Sequence, residues 1–252
     1  MLAKRIVAAL DIRDGKVVKG VNFKNITEIG EPVKHAVEYE KQGIDEIVFL
    51  DIDASSERRG IMKNVVKEIA KVLSIPFTVG GGLSAVSEMI EMVKAGADKV
   101  FVNSAAVRNP KLISDAVSVI GSANVCLALD AKYVNGVYEV YINGGKTPTG
   151  IKADEWANEV ETLGAGEILL TSMETDGVRD GFDLTLNKLI SETVSIPVIA
   201  SGGAGKKEDF LEVFRETEVS AALAASVFHY GNIKINSLKK YLKTNGVNTR
   251  YE

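Results

Sequence analysis

The sequence is poor in the residues that cross-link a chain or bind metals. Among 252 residues there are one cysteine, two histidines and five prolines. The single cysteine, Cys126, excludes an intramolecular disulfide, and its apolar neighbours indicate a buried strand residue rather than a nucleophile. Neither histidine has a cysteine or a second histidine at metal-ligand spacing, so we expect no metal and no cofactor.

Long apolar runs and an excess of positive charge are missing as well. No run approaches the roughly 20 residues of a membrane-spanning helix, and the N-terminal apolar run is too short for a signal peptide. The 30 basic and 34 acidic residues leave a net charge of −4, which gives no basic surface for nucleic acid. We expect a cytoplasmic protein that binds neither nucleic acid nor membrane. The net charge is compatible with a phosphorylated small molecule, because backbone N–H groups bind phosphate without net positive charge.

What the chain does contain is a regular alternation of two patterns. Eight short apolar runs are separated by stretches with helical periodicity, several of which end in glycine. This alternation is typical of parallel βαβ units, and eight of them in about 250 residues favour an α/β fold, a (β/α)8 TIM barrel, over a doubly wound sheet. The turn Asn135-Gly136 predicts an extra hairpin after the fifth strand. The eight runs are RIVAALD, EIVFLDI, PFTVGGG, KVFVNS, NVCLALD, EILLTS, IPVIASGG and SAALAAS.

Landmarks of the first half recur in the second half in the same order, 119 to 122 residues later. We interpret the chain as one barrel domain over residues 1–252, built from two half-barrels at about 1–122 and 123–252. Each half would hold four βα units. The corresponding residues are Asp11 and Asp130, Leu50 and Thr171, Gly82 and Gly203, and Ser104 and Ser226.

Two aspartates end matching strands. Asp11 ends the first strand and Asp130 the fifth, and these strands face each other across an eight-stranded barrel. Barrel enzymes keep their chemistry at the C-terminal strand ends, and two carboxylates across a cleft suit general acid–base catalysis. Each aspartate alone could be a turn former, but the symmetric pair favours catalysis.

Glycine loops follow the third and seventh strands, at Gly82 and Gly203. Glycine lets the backbone approach an anion closely, and Ser104 and Ser226 after the next strands can complete each loop. Glycine could merely supply tight turns. The symmetric arrangement, each loop with its serine, favours two phosphate sites on opposite sides of one barrel mouth.

The alternation of side chains along each strand also predicts which residues enter the opposite end of the barrel. If Asp11, Asn103 and Thr171 point inward, four charged residues at strand starts enter the barrel floor. The residues alone favour the simpler interpretation of four solvated strand starts. The four are Arg5, Glu46, Lys99 and Glu167.

Nearly the whole chain, from MLAKRI to LKKYLKTNGVNTR, resembles the cyclase subunits of imidazole glycerol phosphate synthase, enzymes of histidine biosynthesis. The most specific motifs are DGKVVKGVNF, PFTVGGG, RNPKLI, GAGEILLTSM, IASGGAGK and ALAASVFH. The resemblance implies a lyase acting on a phosphoribulosyl formimino carboxamide ribonucleotide, which carries a phosphate at each end. Ammonia attacks this substrate, which gives imidazole glycerol phosphate and releases an aminoimidazole carboxamide ribotide.

The resemblance also implies roles for individual residues. Asp11 and Asp130 match the acid–base pair, and Lys19 matches a first-loop residue that closes over the substrate. The charged floor matches an ammonia gate at which a partner glutaminase docks, which reverses the simpler interpretation above. Thr171, inward by alternation, joins the residues expected to contact substrate and phosphate. The others are Gly82, Asn103 and Ser104 on one side, and Asp176, Gly177, Gly203, Ala225 and Ser226 on the other.

Several residues depart from the family pattern, among them Ala9, Glu174 and Thr175, and three others bear on function. Asp53 stands where threonine is usual, Phe101 replaces a small serine, and Val178 lacks a hydroxyl. Asp53 is typical of paralogues that use tunnelled ammonia on a nucleotide-sugar-type substrate, although a retained Asp11 argues against that alternative. Phe101 and Val178 favour a second alternative, a barrel that binds phosphorylated ligands without catalysis.

Overall fold

The fold is seen in a computed structural model that describes residues 2–21, 24–52 and 59–250, with side chains described except at 19–21, 24–26 and 59–61. The strands are β1 Arg5–Arg13, β2 Lys16–Val21, β3 Lys24–Gly30, β4 Glu46–Asp51, β5 Phe77–Gly80, β6 Lys99–Val102, β7 Val125–Val134, β8 Val137–Ile142, β9 Thr147–Lys152, β10 Glu167–Ser172, β11 Val198–Ser201 and β12 Ala221–Ala224. The helices are α1 Pro32–Lys41, α2 Arg59–Ala70, α3 Val86–Ala95, α4 Ser104–Arg108, α5 Lys111–Ile120, α6 Ala153–Thr162, α7 Leu184–Thr193, α8 Lys207–Glu216, α9 Ser226–His229 and α10 Ile235–Thr244.

Eight parallel strands form a closed barrel. Their order around the barrel is β1, β4, β5, β6, β7, β10, β11 and β12, and β12 pairs with β1 to close the ring. These are the eight strands that the apolar runs predicted, and the (β/α)8 TIM barrel is confirmed. The helices cover the outside, because parallel strands need both faces buried.

The apolar side chains divide into two cores. The larger lies between the sheet and the helices, and the smaller fills the barrel itself. Val7, Phe101 and Leu169 belong to the inner core. Because side chains two apart share a face of a strand, residues just before these enter the barrel floor and residues after them reach its mouth.

Two antiparallel extensions rise from the barrel, β2–β3 after β1 and β8–β9 after β7. The second was predicted from Asn135-Gly136 and is confirmed. The first was not predicted, although Asp14-Gly15 is an equally good signal for a two-residue hairpin. Both residues of each turn have positive φ, at 49° and 76° in the first and 49° and 91° in the second.

The division of the chain into half-barrels at about 1–122 and 123–252, within one domain, remains a prediction. The two hairpin turns are a further landmark in its favour, since they lie 121 residues apart. Within the ranges that the structure describes, no helix is both long enough and apolar enough to cross a membrane.

Candidate functional site

Asp130 lies near the C-terminal end of its barrel strand, beside Thr171 on the neighbouring strand. Burial raises the pKa of the Asp130 carboxyl to about 6, against an ordinary value of 3.8. The Asn103 amide lowers this pKa in part by donating a hydrogen bond of 2.8 Å to Oδ2, and the charge of Asp176 raises it. A carboxyl that titrates near neutrality can both give and take a proton at physiological pH.

Asp11 lies on β1, in register with Leu50 of β4 and Val18 of β2. Four strand steps separate β1 from β7 in either direction around the ring, so the two strands are opposite each other. Both aspartates share the inward parity of the inner core residues on their strands. The structure therefore brings the two predicted carboxylates to one mouth, on opposite walls.

The first predicted phosphate loop lies between these walls. Gly82 follows β5 with φ of 64°, and helix α4 begins at Ser104 with Asn103 as its N-terminal cap residue. The Ser104 hydroxyl accepts a hydrogen bond of 2.9 Å from the backbone N–H of Asn143, in the turn between β8 and β9. Asn103 thus joins this loop to Asp130.

The second loop lies opposite, between β11 and β12. Gly203 has φ of 106°, and its carbonyl accepts a hydrogen bond of 2.9 Å from the N–H of Gly181. Asp176 and Gly177 belong to the loop after β10, and the Cα of Asp176 would lie 3.4 Å from a Cβ on Gly202. The residues Ala225 and Ser226 stand at the start of helix α9, as Asn103 and Ser104 do at α4. Two similar glycine–serine arrangements therefore flank the carboxylates.

Gly203→Ala is expected to weaken binding of a bisphosphorylated substrate, with KM rising about tenfold. A Cβ on Gly203 would lie 1.9 Å from the carbonyl oxygen of Gly181, so the loop has to move. Steady-state kinetics would measure the change. Gly136→Ala is the matched control, because Gly136 also has positive φ but a Cβ there meets nothing within 4 Å. Equal effects of both changes would show that strain, not loop position, matters.

Four charged side chains close the opposite end of the barrel. Glu46 accepts from Arg5 at 2.6 Å and pairs with Lys99 at 2.7 Å, and Glu167 pairs with Lys99 at 2.6 Å and also with Arg5. Burial disfavours both cations, but the two carboxylates outweigh it and raise the pKa of Lys99 and Arg5. The four side chains form a closed ring of ion pairs, so the interpretation as solvated strand starts was wrong.

Some contacts of these residues were not predicted. Thr78 donates a hydrogen bond of 2.8 Å to Glu46, and its position two residues before Gly80 was the signal that it points inward. Thr175 donates one of 3.1 Å to the carbonyl of Gly202, which holds the loop after β10 against the second phosphate loop. No sequence pattern distinguished Thr175 from other threonines in loops.

The structure describes only some of the residues that depart from the family pattern. Asp53 lies outside the described residues, and so does the side chain of Lys19, whose backbone is in β2. Val178 is 60% exposed beside the second phosphate loop. Phe101 is buried in the inner core, and Cys126 beside it is buried too, which raises the pKa of its thiol well above the ordinary value. The cysteine is thus the inert strand residue that the sequence indicated.

Comparison with known proteins agrees with this geometry. A family model described as "Histidine biosynthesis protein" matches residues 5–234. Imidazole glycerol phosphate synthase subunit HisF of Petrotoga mobilis is 58% identical over 252 residues, which is 99% of this chain and 100% of the relative. The subunits HisF of Thermococcus onnurineus and Pyrococcus furiosus are 57% and 56% identical, covering 99% and 100% of both chains, respectively. The chain belongs to the family of imidazole glycerol phosphate synthase subunits HisF.

Proposed function

We propose that the protein is the cyclase of histidine biosynthesis that its family predicts, with Asp11 and Asp130 as its catalytic residues. The observation that supports this most strongly is the placement of two carboxylates on opposite walls of the mouth, between two glycine–serine loops. A substrate with a phosphate at each end would place its middle at the carboxylates. The reaction converts the phosphoribulosyl formimino carboxamide ribonucleotide and ammonia into imidazole glycerol phosphate and an aminoimidazole carboxamide ribotide.

The bond changes show why two proton-transfer groups are needed. The nitrogen of ammonia forms a bond to the ketone carbon of the substrate, whose oxygen leaves as water. The same nitrogen forms a second bond to the formimino carbon, from which the carboxamide ribotide leaves as an amine. Ammonia must lose protons while the departing oxygen and amine must gain them, and two carboxyls on opposite sides can serve both needs.

Each remaining site residue has a positioning role in this proposal. One phosphate binds at Gly82, Asn103 and Ser104, and Thr171 lies beside Asp130 to contact the middle of the substrate. The other phosphate binds in the second loop, at Asp176, Gly177, Gly203, Ala225 and Ser226. Lys19 closes over the bound substrate. The hydrogen bond from Asn103 to Asp130 couples the first phosphate loop to one catalytic carboxyl.

A partner is part of the proposal. The relatives are named as synthase subunits, and ammonia is commonly supplied to such reactions by hydrolysis of glutamine in a second protein. We place a glutaminase at the N-terminal face of the barrel, against the ring of Arg5, Glu46, Lys99 and Glu167, which would gate ammonia. We place the reaction in the cytoplasm, because a chain with one buried cysteine forms no intramolecular disulfide and suits a reducing compartment.

The experiment that tests the function needs no partner. The purified protein is mixed with the formimino bisphosphate substrate and an ammonium salt at alkaline pH, where free ammonia is abundant, and loss of substrate absorbance is followed. Ammonium-dependent turnover that yields both products is the expected result. Binding of the substrate without turnover would contradict the proposal and support the barrel that only binds phosphorylated ligands.

A further inference from the structure

Phe101 is the largest side chain of the described inner core. It is 5% exposed and belongs to the inner core cluster, whose members come from β1, β4, β6, β7, β10, β11 and β12. Its neighbour across the strand pair is Gly80, which contributes no side chain. A Cβ on Gly80 would lie 2.5 Å from three carbons of the phenyl ring, so the ring fills the space that a side chain on β5 would otherwise take.

The position of Phe101 along its strand is between the two functional ends of the barrel. Lys99, two residues before it, belongs to the ring of ion pairs at the floor. Asn103, two residues after it, donates to the catalytic carboxyl of Asp130. Lys99 and Phe101 share the inward face of β6 and Asn103 follows the strand, so the phenyl ring lies between the floor and the mouth.

The inner core joins the phenyl ring to apolar side chains of the other barrel strands. Apolar residues on seven of the eight barrel strands form one contiguous cluster with Phe101, and the eighth strand contributes Gly80, against which the ring packs. Protein interiors are close-packed, so a molecule can cross such a layer only if a side chain moves aside. Because Phe101 belongs to a cluster that spans the barrel, moving its phenyl ring disturbs the packing inside the barrel.

We propose that Phe101 determines the source of nitrogen by closing the barrel interior between the charged floor and the catalytic aspartates. This rests on the proposed function, since it concerns the same ammonia. Free ammonia that arrives at the mouth reaches the substrate without passing the phenyl ring of Phe101. Ammonia released beneath the floor has to pass the phenyl ring of Phe101 before it reaches the substrate. A glutaminase can therefore dock at the floor and still supply the reaction poorly.

The test compares two nitrogen sources. The unaltered protein, Phe101→Ser and the milder Phe101→Leu are each assayed with substrate and an ammonium salt, and then with substrate, glutamine and a glutaminase subunit of an imidazole glycerol phosphate synthase. Complex formation is measured first by analytical ultracentrifugation. Phe77→Leu is the matched control, because Phe77 is equally buried but packs against Phe49 in the outer core.

We expect the unaltered protein to turn over at least tenfold more slowly with glutamine and glutaminase than with ammonium. Phe101→Ser should raise the glutamine-driven kcat about tenfold, with Phe101→Leu between, while the ammonium-driven kcat changes less than twofold. Phe77→Leu should change neither the glutamine-driven nor the ammonium-driven kcat. Equal kcat with both sources in the unaltered protein, with the complex formed, would overturn the inference about Phe101 alone.

The remaining outcomes separate this inference from the proposed function. Absence of ammonium-driven turnover in every variant means that the proposed function is wrong, and the inference falls with it. Absence of a complex means that the docking proposal is wrong, and the inference falls for that reason while the cyclase assignment stands.

Discussion

Asp130→Asn and Asp11→Asn each lower kcat of the ammonium-driven reaction by roughly a hundred- to ten-thousand-fold, the usual contribution of a general acid or base. The amide keeps the size of the carboxyl, and Asn103 can still donate to an oxygen at position 130. Substrate affinity should change little, because we propose that the phosphates bind at the glycine–serine loops. Steady-state kinetics and calorimetric titration would measure the two effects.

A surface substitution supplies the control. Asp115→Asn removes an exposed carboxylate that pairs with its helix neighbour Lys111 on α5, and kcat should stay unchanged. If Asp11→Asn and Asp130→Asn both keep near-normal kcat, the acid–base assignment is wrong. Loss of substrate binding together with kcat would instead indicate that the aspartates hold the substrate in place.

The stability of Asp130→Asn gives a second readout, which tests whether burial raises the pKa of this carboxyl. Below pH 3.8 the carboxyl is protonated in both the folded and the unfolded chain. As the pH rises from about 4 to about 6, the unfolded chain releases this proton first, so ionisation of Asp130 progressively destabilises the fold. Asparagine removes that cost. The melting temperature should therefore rise by several degrees at pH 8, and the gain should vanish near pH 4.

Glu46→Gln should cost about 3–5 kcal/mol of folding free energy, since removing one partner of a buried ion pair leaves an uncompensated charge. The Glu46 side chain is 2% exposed and contacts Arg5, Lys99 and Thr78. The substitution leaves two partly buried cations, Arg5 and Lys99, with one carboxylate, Glu167. For a chain of this size we expect the melting temperature to fall by about 10 °C, which differential scanning calorimetry would measure.

Glu91→Gln is the comparison for this change. Glu91 also pairs with a lysine, Lys63 at 3.1 Å, but both side chains are exposed. Exposed ion pairs contribute little, so the melting temperature should stay close to that of the unaltered protein. A similar small effect for both substitutions would mean that the ring at the floor does not stabilise the barrel.

The fold was largely predictable because its signals are local. Buried parallel strands are short apolar runs, and helices between them end at glycines, so the alternation was visible in the sequence. The β2–β3 extension was missed because its strands, in KVVKGV and KNITEIG, are half polar, and β3 pairs only with β2 among the described strands. Only the turn at Asp14-Gly15 signalled it.

The site was predictable to the extent that it repeats. Asp11 and Asp130 were found because each ends an apolar run, and the loops were found because glycine and serine recur at the same offset. The ring at the floor was not predictable from residues alone, since a charged strand start is usually solvated. The ring forms because four side chains from four strands come into contact, and no local sequence pattern indicates such long-range contacts.

The placement of Phe101 illustrates the same limit. Alternation correctly put its side chain inside the barrel, in the inner core. Alternation alone does not give the height of the side chain between the floor and the mouth. The height of a side chain along the barrel axis depends on how far neighbouring strands are shifted, and that register is set by the closure of the whole sheet.

The ring at the floor also bears on how the two predicted halves recognise each other. Glu46 in the first half corresponds to Glu167 in the second, 121 residues later. Both cations belong to the first half, and at the matching offsets the second half has neutral residues, Asn124 and Ala221. Two copies of the first half would bury four cations against two carboxylates, and two copies of the second would bury two carboxylates with no cation. Only the unlike pair is neutral, so each half would reject a copy of itself and accept the other.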